Sequence, residues 1–193
     1  MKNTKIIIAL FLLLLPSLAN AQKVKDYLKT GNTIKFCKTS FLLGYSSNPT
    51  KDLVFQEYFP QGEKPESYNE MFTVSLHYAE ATASMAVEAK IKELEERKKT
   101  DACCNYKVYK NGDEFILDFL VSAKDPENPE CLSVAEHDLH YYKQVTINGK
   151  KGIQLLFYSH RAYGDDIIPF IKKIPETNEK NILELTKMRI NFK

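Results

Sequence analysis

The side chains best suited to chemistry lie in the second half of the chain. Of its four histidines, His137 and His160 stand at equal sequence distance on either side of Asn148-Gly149. Asn-Gly is the strongest short signal for a two-residue hairpin turn. Such a turn places His137 opposite His160 and Glu136 opposite Arg161. Directly opposed side chains lie about 4.5–5.5 Å apart at Cβ, close enough to share a metal ion. No third ligand is fixed by spacing, so the two imidazoles read as ordinary sheet residues and no metal is expected. Glu136 with Arg161 reads as a cross-strand ion pair.

Nucleophilic catalysis has no support. There is no Gly-x-Ser-x-Gly elbow, and no Ser or Cys is tied by spacing to a His and an acid. Only 7 glycines occur, and they sit mostly in turns, so no phosphate-cradling loop forms. Asp165-Asp166 precedes an apolar helical stretch and reads as an N-terminal cap. No catalytic residue, cofactor or enzymatic activity is therefore expected.

Four cysteines remain, Cys37, Cys103, Cys104 and Cys131. No Cys-x-x-Cys is present, which favours structural disulfides or buried thiols over redox or metal chemistry. Two disulfides allow three connectivities. Cys103 and Cys104 are neighbours, so in an extended segment they point to opposite faces and do not reach one partner.

The elements that position these residues follow from periodicity. Strands are expected at Thr33–Lys38, continuing through Phe41–Tyr45 to a turn at Ser46-Ser47-Asn48-Pro49. Further strands are expected at Asp52–Phe59, Met71–Tyr78, Asn105–Lys110, Asp113–Ala123, Leu132–Ile147 and Ile153–Arg161. Phe115, Leu117, Phe119 and Val121 alternate on one face while Ile116 and Leu120 make the other partly apolar. That strand reads as central and covered on both sides. Glu80–Lys99 lacks Gly and Pro and reads as a helix burying Ala83, Val87, Ile91 and Leu94, with Glu88–Lys92, Glu93–Arg97 and Glu95–Lys99 pairs on its surface. Asp165–Phe192 is helical in character, with Pro169 in a first turn and Pro175 expected to end or kink it before a second piece at Glu176–Met188. Gln22–Lys29 reads as a polar lead-in.

The chain carries 27 Lys plus Arg against 25 Asp plus Glu over 193 residues. Residues 1–21 have the parts of a secretory signal: Lys2 and Lys5, the apolar run Ile6–Leu15, Pro16, and small residues at Ala19 and Ala21. The apolar run is too short to span a bilayer core of about 30 Å. Cleavage before Gln22 removes both excess lysines and leaves equal numbers of bases and acids. A neutral chain has no field to gather nucleic acid or an anionic membrane. Residues 22–193 read as a single secreted or periplasmic domain with no membrane anchor after cleavage.

Glu57-Tyr58-Phe59-Pro60-Gln61-Gly62-Glu63, with Tyr68 and Met71-Phe72-Thr73-Val74, resembles a segment of small exported bacterial proteins. Gly149-Lys150-Lys151-Gly152-Ile153 and Ser159-His160-Arg161-Ala162-Tyr163-Gly164-Asp165 resemble their C-terminal hairpin. These proteins look like the PsbP/DcrB/Mog-like fold group. The resemblance implies an α+β fold, an antiparallel meander of about six to eight strands with helices packed against it. It implies non-catalytic binding and supplies no catalytic residues, and the chain lacks the lipidation cysteine of the lipoprotein members. The expected function is an exported binding or accessory protein of the cell envelope, with an envelope protein as partner. The alternatives are a periplasmic small-ligand or metal-binding protein and, behind that, an enzyme of unrecognised type. Tyr58, Glu63, Arg161 and Tyr163 are the expected binding residues.

Overall fold

The computed structural model describes residues 24–190 and 192; the expected signal segment lies outside the described residues. Eight strands form a single antiparallel sheet: β1 (Thr33–Phe36), β2 (Thr39–Thr50), β3 (Leu53–Pro60), β4 (Glu70–Tyr78), β5 (Asn105–Asn111), β6 (Glu114–Lys124), β7 (Leu132–Ile147) and β8 (Lys150–Tyr163). Their spatial order is β1-β2-β3-β4-β8-β7-β6-β5. Two helices accompany them, α1 (Ala83–Arg97) between β4 and β5, and α2 (Ile167–Lys187) after a 3-10 turn at Gly164–Asp166.

The expected α+β meander is corrected by this arrangement. Strand accounts for 49% of the described residues and helix for 23%, so the described fold is dominated by one sheet. Nor is the sheet a single meander. Two four-stranded meanders, β1–β4 and β5–β8, join where β4 pairs with β8. Part of the excess strand comes from β2, which runs straight through the expected turn at Ser46–Pro49. A register shift against β3 absorbs the irregularity there, as a bulge does.

Each face of the sheet carries one helix. On one face Phe72, Val74, Ile116, Leu139, Tyr141, Leu156 and Tyr158 form the main core with Leu185 of α2. Ala135, Ala162, Ile167 and Phe170 extend it under the first turns of α2. On the opposite face Leu117, Phe119, Val121, Tyr142 and Ile153 pack against Ala83, Val87 and Leu94 of α1. Strand β6 is therefore covered on both sides, as its two-sided pattern requires, although it lies beside the edge strand and not at the centre. Helix α2 passes through Pro175 without ending. Ile167 and Phe170 before it and Leu185 after it are all docked on the sheet, and this burial outweighs the missing hydrogen bond. Asp166 occupies the N-cap of α2 but its side chain makes no cap bond. Thr82 caps α1 instead, accepting the Met85 amide.

Strand β5 begins only at Asn105, opposite Leu120, so the β6 edge beyond it needs another partner. Asp101 supplies one. Its Oδ2 accepts the Ser122 amide at 2.7 Å and its Oδ1 accepts the Ser122 hydroxyl at 2.6 Å, while Arg97 donates to the Ser122 carbonyl at 2.8 Å. Arg97 also pairs with Asp101, and the remaining surface pairs on α1 are i, i+3 contacts, not the expected i, i+4 ones.

Leu185 is fully buried between α2 and the sheet, whereas Leu183 is 54% exposed. Leu185→Ala is expected to lower unfolding free energy by about 2–5 kcal/mol, and Leu183→Ala by under about 0.5 kcal/mol, read from urea midpoints. Equal effects would contradict the docking of α2.

Candidate functional site

Alternation along β7 sends Glu136, Asp138 and His140 to the α1 face, where β8 opposes them with Arg161, Ser159 and Phe157. On β4 and β3 the same rows continue through Met71 and Thr73 to Phe59 and Glu57. This face is crossed by α1 at one side and by the Pro60–Asn69 loop at the other. Tyr68 of that loop packs its ring 5.6 Å from Phe59, in a small cluster with Met71 and Phe157.

The loop is latched to β8 by residues the sequence singles out for binding. Glu63 Oε2 accepts the amides of Asn69 at 2.8 Å and Glu70 at 3.0 Å. Tyr163 donates its hydroxyl to the Tyr68 carbonyl at 2.8 Å. The Arg161 amide donates to the Asn69 carbonyl, and Asn69 Nδ2 returns a bond to the Arg161 carbonyl. The Arg161 guanidinium lies 4.0 Å from the Tyr68 ring centre and pairs with Glu136. Glu63, Arg161 and Tyr163 thus meet in one place, and their polar groups hold the loop. Tyr58 does not join them. It is buried on the α2 face, where its hydroxyl meets Thr30 Oγ1 at 2.6 Å and Gln56 Nε2 at 2.7 Å.

Beneath Tyr68 and the edge of α1 runs a buried polar strip. Ser159 donates to Glu136 Oε1 at 2.9 Å. His140 Nδ1 meets the Tyr142 hydroxyl at 3.1 Å, with the imidazole ring 4.8 Å from Phe119 and 4.6 Å from Phe157. Burial, aided by Lys90, pushes the His140 pKa well below its ordinary value and keeps the ring neutral. Burial first and the charge of Glu136 second hold the Asp138 carboxyl well above the usual carboxylate range. Asp138 Oδ1 and Thr73 Oγ1 are buried without a hydrogen-bond partner. At the open margin, burial pushes Glu57 up to about 7 against the opposing charge of Arg161. These groups hold protons but do not assemble a nucleophile. Ser159 is engaged by a carboxylate and His140 by a tyrosine, and neither bond connects the two.

Beyond this strip no element among the described residues covers the same face. Leu42 and Tyr45 on β2 are 44% and 43% exposed, and the Tyr45 ring lies 6.0 Å from Phe55. They share a face despite their odd spacing because a register shift at Gly44 re-phases the strand. Gly44 is required there: a Cβ would stand 2.6 Å from the Phe59 ring.

The histidine pair takes the expected register, His137 opposite His160, on the α2 face. His137 Nε2 binds Asp118 Oδ1 at 2.8 Å, and Asn178 of α2 donates to the other oxygen of Asp118 at 2.6 Å. The His160 ring stacks edge-on against Phe170, 4.8 Å away. Burial and then His137 lower its pKa. Both rings serve the seat of α2, and no group of three metal-binding side chains occurs among the described residues. All four cysteines are free thiols, with Cys37 and Cys131 exposed, Cys103 half-buried and Cys104 buried. A cleft of about 300 Å³ lies beside Cys103 and another of about 440 Å³ beside Ile190; neither is lined by the polar strip.

Asp138, His140, Glu57 and Thr73 escape the sequence reading because alternate polar residues in a strand normally face water. The available signal is the neighbouring β6, whose apolar Leu117 and Phe119 share their face and require a cover. No helix among the described residues is long and apolar enough to cross a membrane.

The model of one uncharacterised protein family matches residues 28–190, most of the chain, and the chain belongs to that family. No curated protein and no solved structure matches it.

The Glu57 pKa of about 7 exceeds the unfolded value near 4.3. Between these values the folded chain holds a proton the unfolded chain has released, so Glu57 costs stability as pH rises through that window and no further above it. Glu57→Gln is expected to match wild type near pH 4 and to exceed it by about 1–3 kcal/mol at pH 8. Chemical denaturation at the two pH values measures this; identical pH profiles for the two proteins would refute it.

Proposed function

We propose that the protein is an exported, non-catalytic binding or accessory protein of the cell envelope. Its docking surface in this reading is the uncovered strip of β2 and β3. Export is supported by the basic and apolar pattern of residues 1–21. Kinship with the PsbP/DcrB/Mog-like group belongs to the same proposal and rests on the matches at Glu57–Glu63 and Gly149–Asp165.

The observation that carries the reading is the asymmetry of the α1 face. Helix α1 covers β6, β7 and part of β8, while Leu42 and Tyr45 stay exposed beside Phe55 and Glu57. Exposed aromatic and aliphatic residues grouped on a flat strand surface suit a protein partner. Glu57 adds a carboxyl that donates a hydrogen bond when neutral, so the partner is expected to bring an acceptor and to bind more weakly above pH 7. The binding reading is preferred to catalysis because Ser159 and His140 are separately engaged.

Leu42→Ser with Tyr45→Ser is expected to leave the melting temperature within about 3 °C of wild type. It should abolish retention of the partner that wild type captures from envelope extract. Undiminished retention would exclude this strip. N-terminal sequencing of the exported chain is expected to begin at Gln22; a cytosolic chain beginning at Met1 would refute export.

A further inference from the structure

We infer that the cleft of about 440 Å³ beside Ile190 binds a small neutral molecule that carries an amide group on an apolar body. The cleft opens on the α2 face at the end of the β7–β8 hairpin. It is separate from the strip of β2 and β3 and does not depend on the role proposed for that strip.

The fold leaves space here because its elements run out together. Pairing of β6 with β7 stops at Tyr142, opposite Phe115, and pairing of β4 with β8 stops at Gly152, opposite Tyr78. Beyond them Thr146 and Ile147 face Lys151 and Lys150 with no third strand beside them. Gly152, two residues before Gln154 and so on the same face, adds no side chain to fill the gap. Above the sheet α2 ends at Lys187, and Met188 is extended, with φ −64° and ψ 138°. This sends Ile190 and Phe192 across the sheet as an irregular tail, and both pack at the margin of the main core. They form one wall of the cleft, and Val145 and Ile147 of β7 form the other.

Gln154 lies between these walls. It is only 5% exposed and it lines the cleft, yet its amide makes no hydrogen bond among the described residues. Its ladder neighbours do not supply one: Leu76 is apolar, and Lys143 is paired with Glu114 at 2.7 Å. Gln56, at similar depth on β3, shows the contrast. Its Oε1 accepts the Leu28 amide at 2.8 Å and its Nε2 donates to the Tyr58 hydroxyl at 2.7 Å. A buried amide without partners costs free energy, and an occupant of the cleft that bonds to it recovers that cost.

The chemistry of the occupant follows from what the Gln154 side chain offers, a carbonyl acceptor beside an NH2 donor. A second amide matches both at once in one plane. An ionised carboxylate has acceptors only and leaves the Gln154 oxygen unmatched. Around this pair Val145, Ile147, Ile190 and Phe192 receive an apolar remainder. The volume falls within the range of about 300–1,000 Å³ common to small-molecule sites.

The test uses the full mature chain, with hexanamide as the probe and hexanoate as its charged counterpart, titrated at about pH 7 where the carboxylate is ionised. Hexanamide up to about 20 mM is expected to shift, saturably, the NMR signals of the Gln154 side-chain amide and of the Val145 and Ile147 backbone amides. Hexanoate is expected to bind at least about 10-fold more weakly. Gln154→Leu keeps the bulk and removes the amide, and should weaken hexanamide by about 10-fold or more, read at the backbone amides. Ile147→Trp fills the cleft from its strand wall and should abolish the saturable shifts. Both variants are expected to melt within about 3 °C of wild type. Absence of a saturable shift at Gln154, equal binding of hexanoate and hexanamide, or undiminished binding by Gln154→Leu would overturn the inference. If Gln154→Leu does not melt cooperatively, Ile147→Trp decides, and hexanamide binding retained by it overturns the inference.

Discussion

The structure depends on the pairing of β4 with β8. Nine consecutive residue pairs, from Glu70 with His160 to Tyr78 with Gly152, join two meanders into one sheet. Phe72 against Tyr158 and Val74 against Leu156 place the most buried side chains of both halves in one core. At the end of the ladder Gly152 has no side chain because a Cβ would stand 2.9 Å from the His77 carbonyl. At the other end the pairing continues as the Arg161 amide bonds the Asn69 carbonyl. The loop latch at Glu63, Arg161 and Tyr163 is thus an extension of the seam.

The position of the seam dictates where the helices go. Strand β4 ends at the sheet centre and β5 begins at its far edge, so the chain must cross β8, β7 and β6 on one face. Helix α1 makes that crossing and covers what lies beneath it. Among the described residues nothing in the connectivity carries a helix back over β2 and β3 on this face. The exposed strip at Leu42 and Tyr45 is therefore a consequence of topology. The polar strip lies at the boundary between covered and uncovered sheet. Asp138 is deep enough to be neutral, and Glu57, nearer the margin, titrates close to neutrality.

Local features of this fold are legible in the sequence, and non-local ones are not. The hairpin of β7 and β8 can be read because Asn148 and Gly149 both take positive φ, as a primed turn demands. That turn sets every pair in the ladder, including His137 with His160. The β4–β8 contact has no comparable mark, because several strands have two apolar faces and periodicity does not choose between them. Pro175 misleads for a related reason. The cost of a helical proline is local, whereas the burial of Phe170 and Leu185 that outweighs it is tertiary. Tyr58 reads as a surface residue because its partner Thr30 lies in a lead-in with no pattern of its own. In the fold that segment is anchored: Leu28 donates its amide to Gln56 at 2.8 Å, and Thr30 closes over the Tyr58 hydroxyl.

The character of the site follows from how its charges are satisfied. Burial opposes the charge on Arg161, and Glu136 more than restores it, so the guanidinium stays ionised. Glu136 also accepts from the Ser159 hydroxyl. Asp138, crowded by the same carboxylate, keeps its proton. Glu136 thus engages both Arg161 and Ser159, while one oxygen of Asp138 and the Thr73 hydroxyl stay buried without a hydrogen-bond partner. Glu57, which pairs with the exposed Tyr45 across the β2–β3 ladder, titrates at about 7. In the proposed binding role, recognition rests on shape and apolar contact at the β2–β3 strip, and Glu57 is the carboxyl there that titrates at about 7.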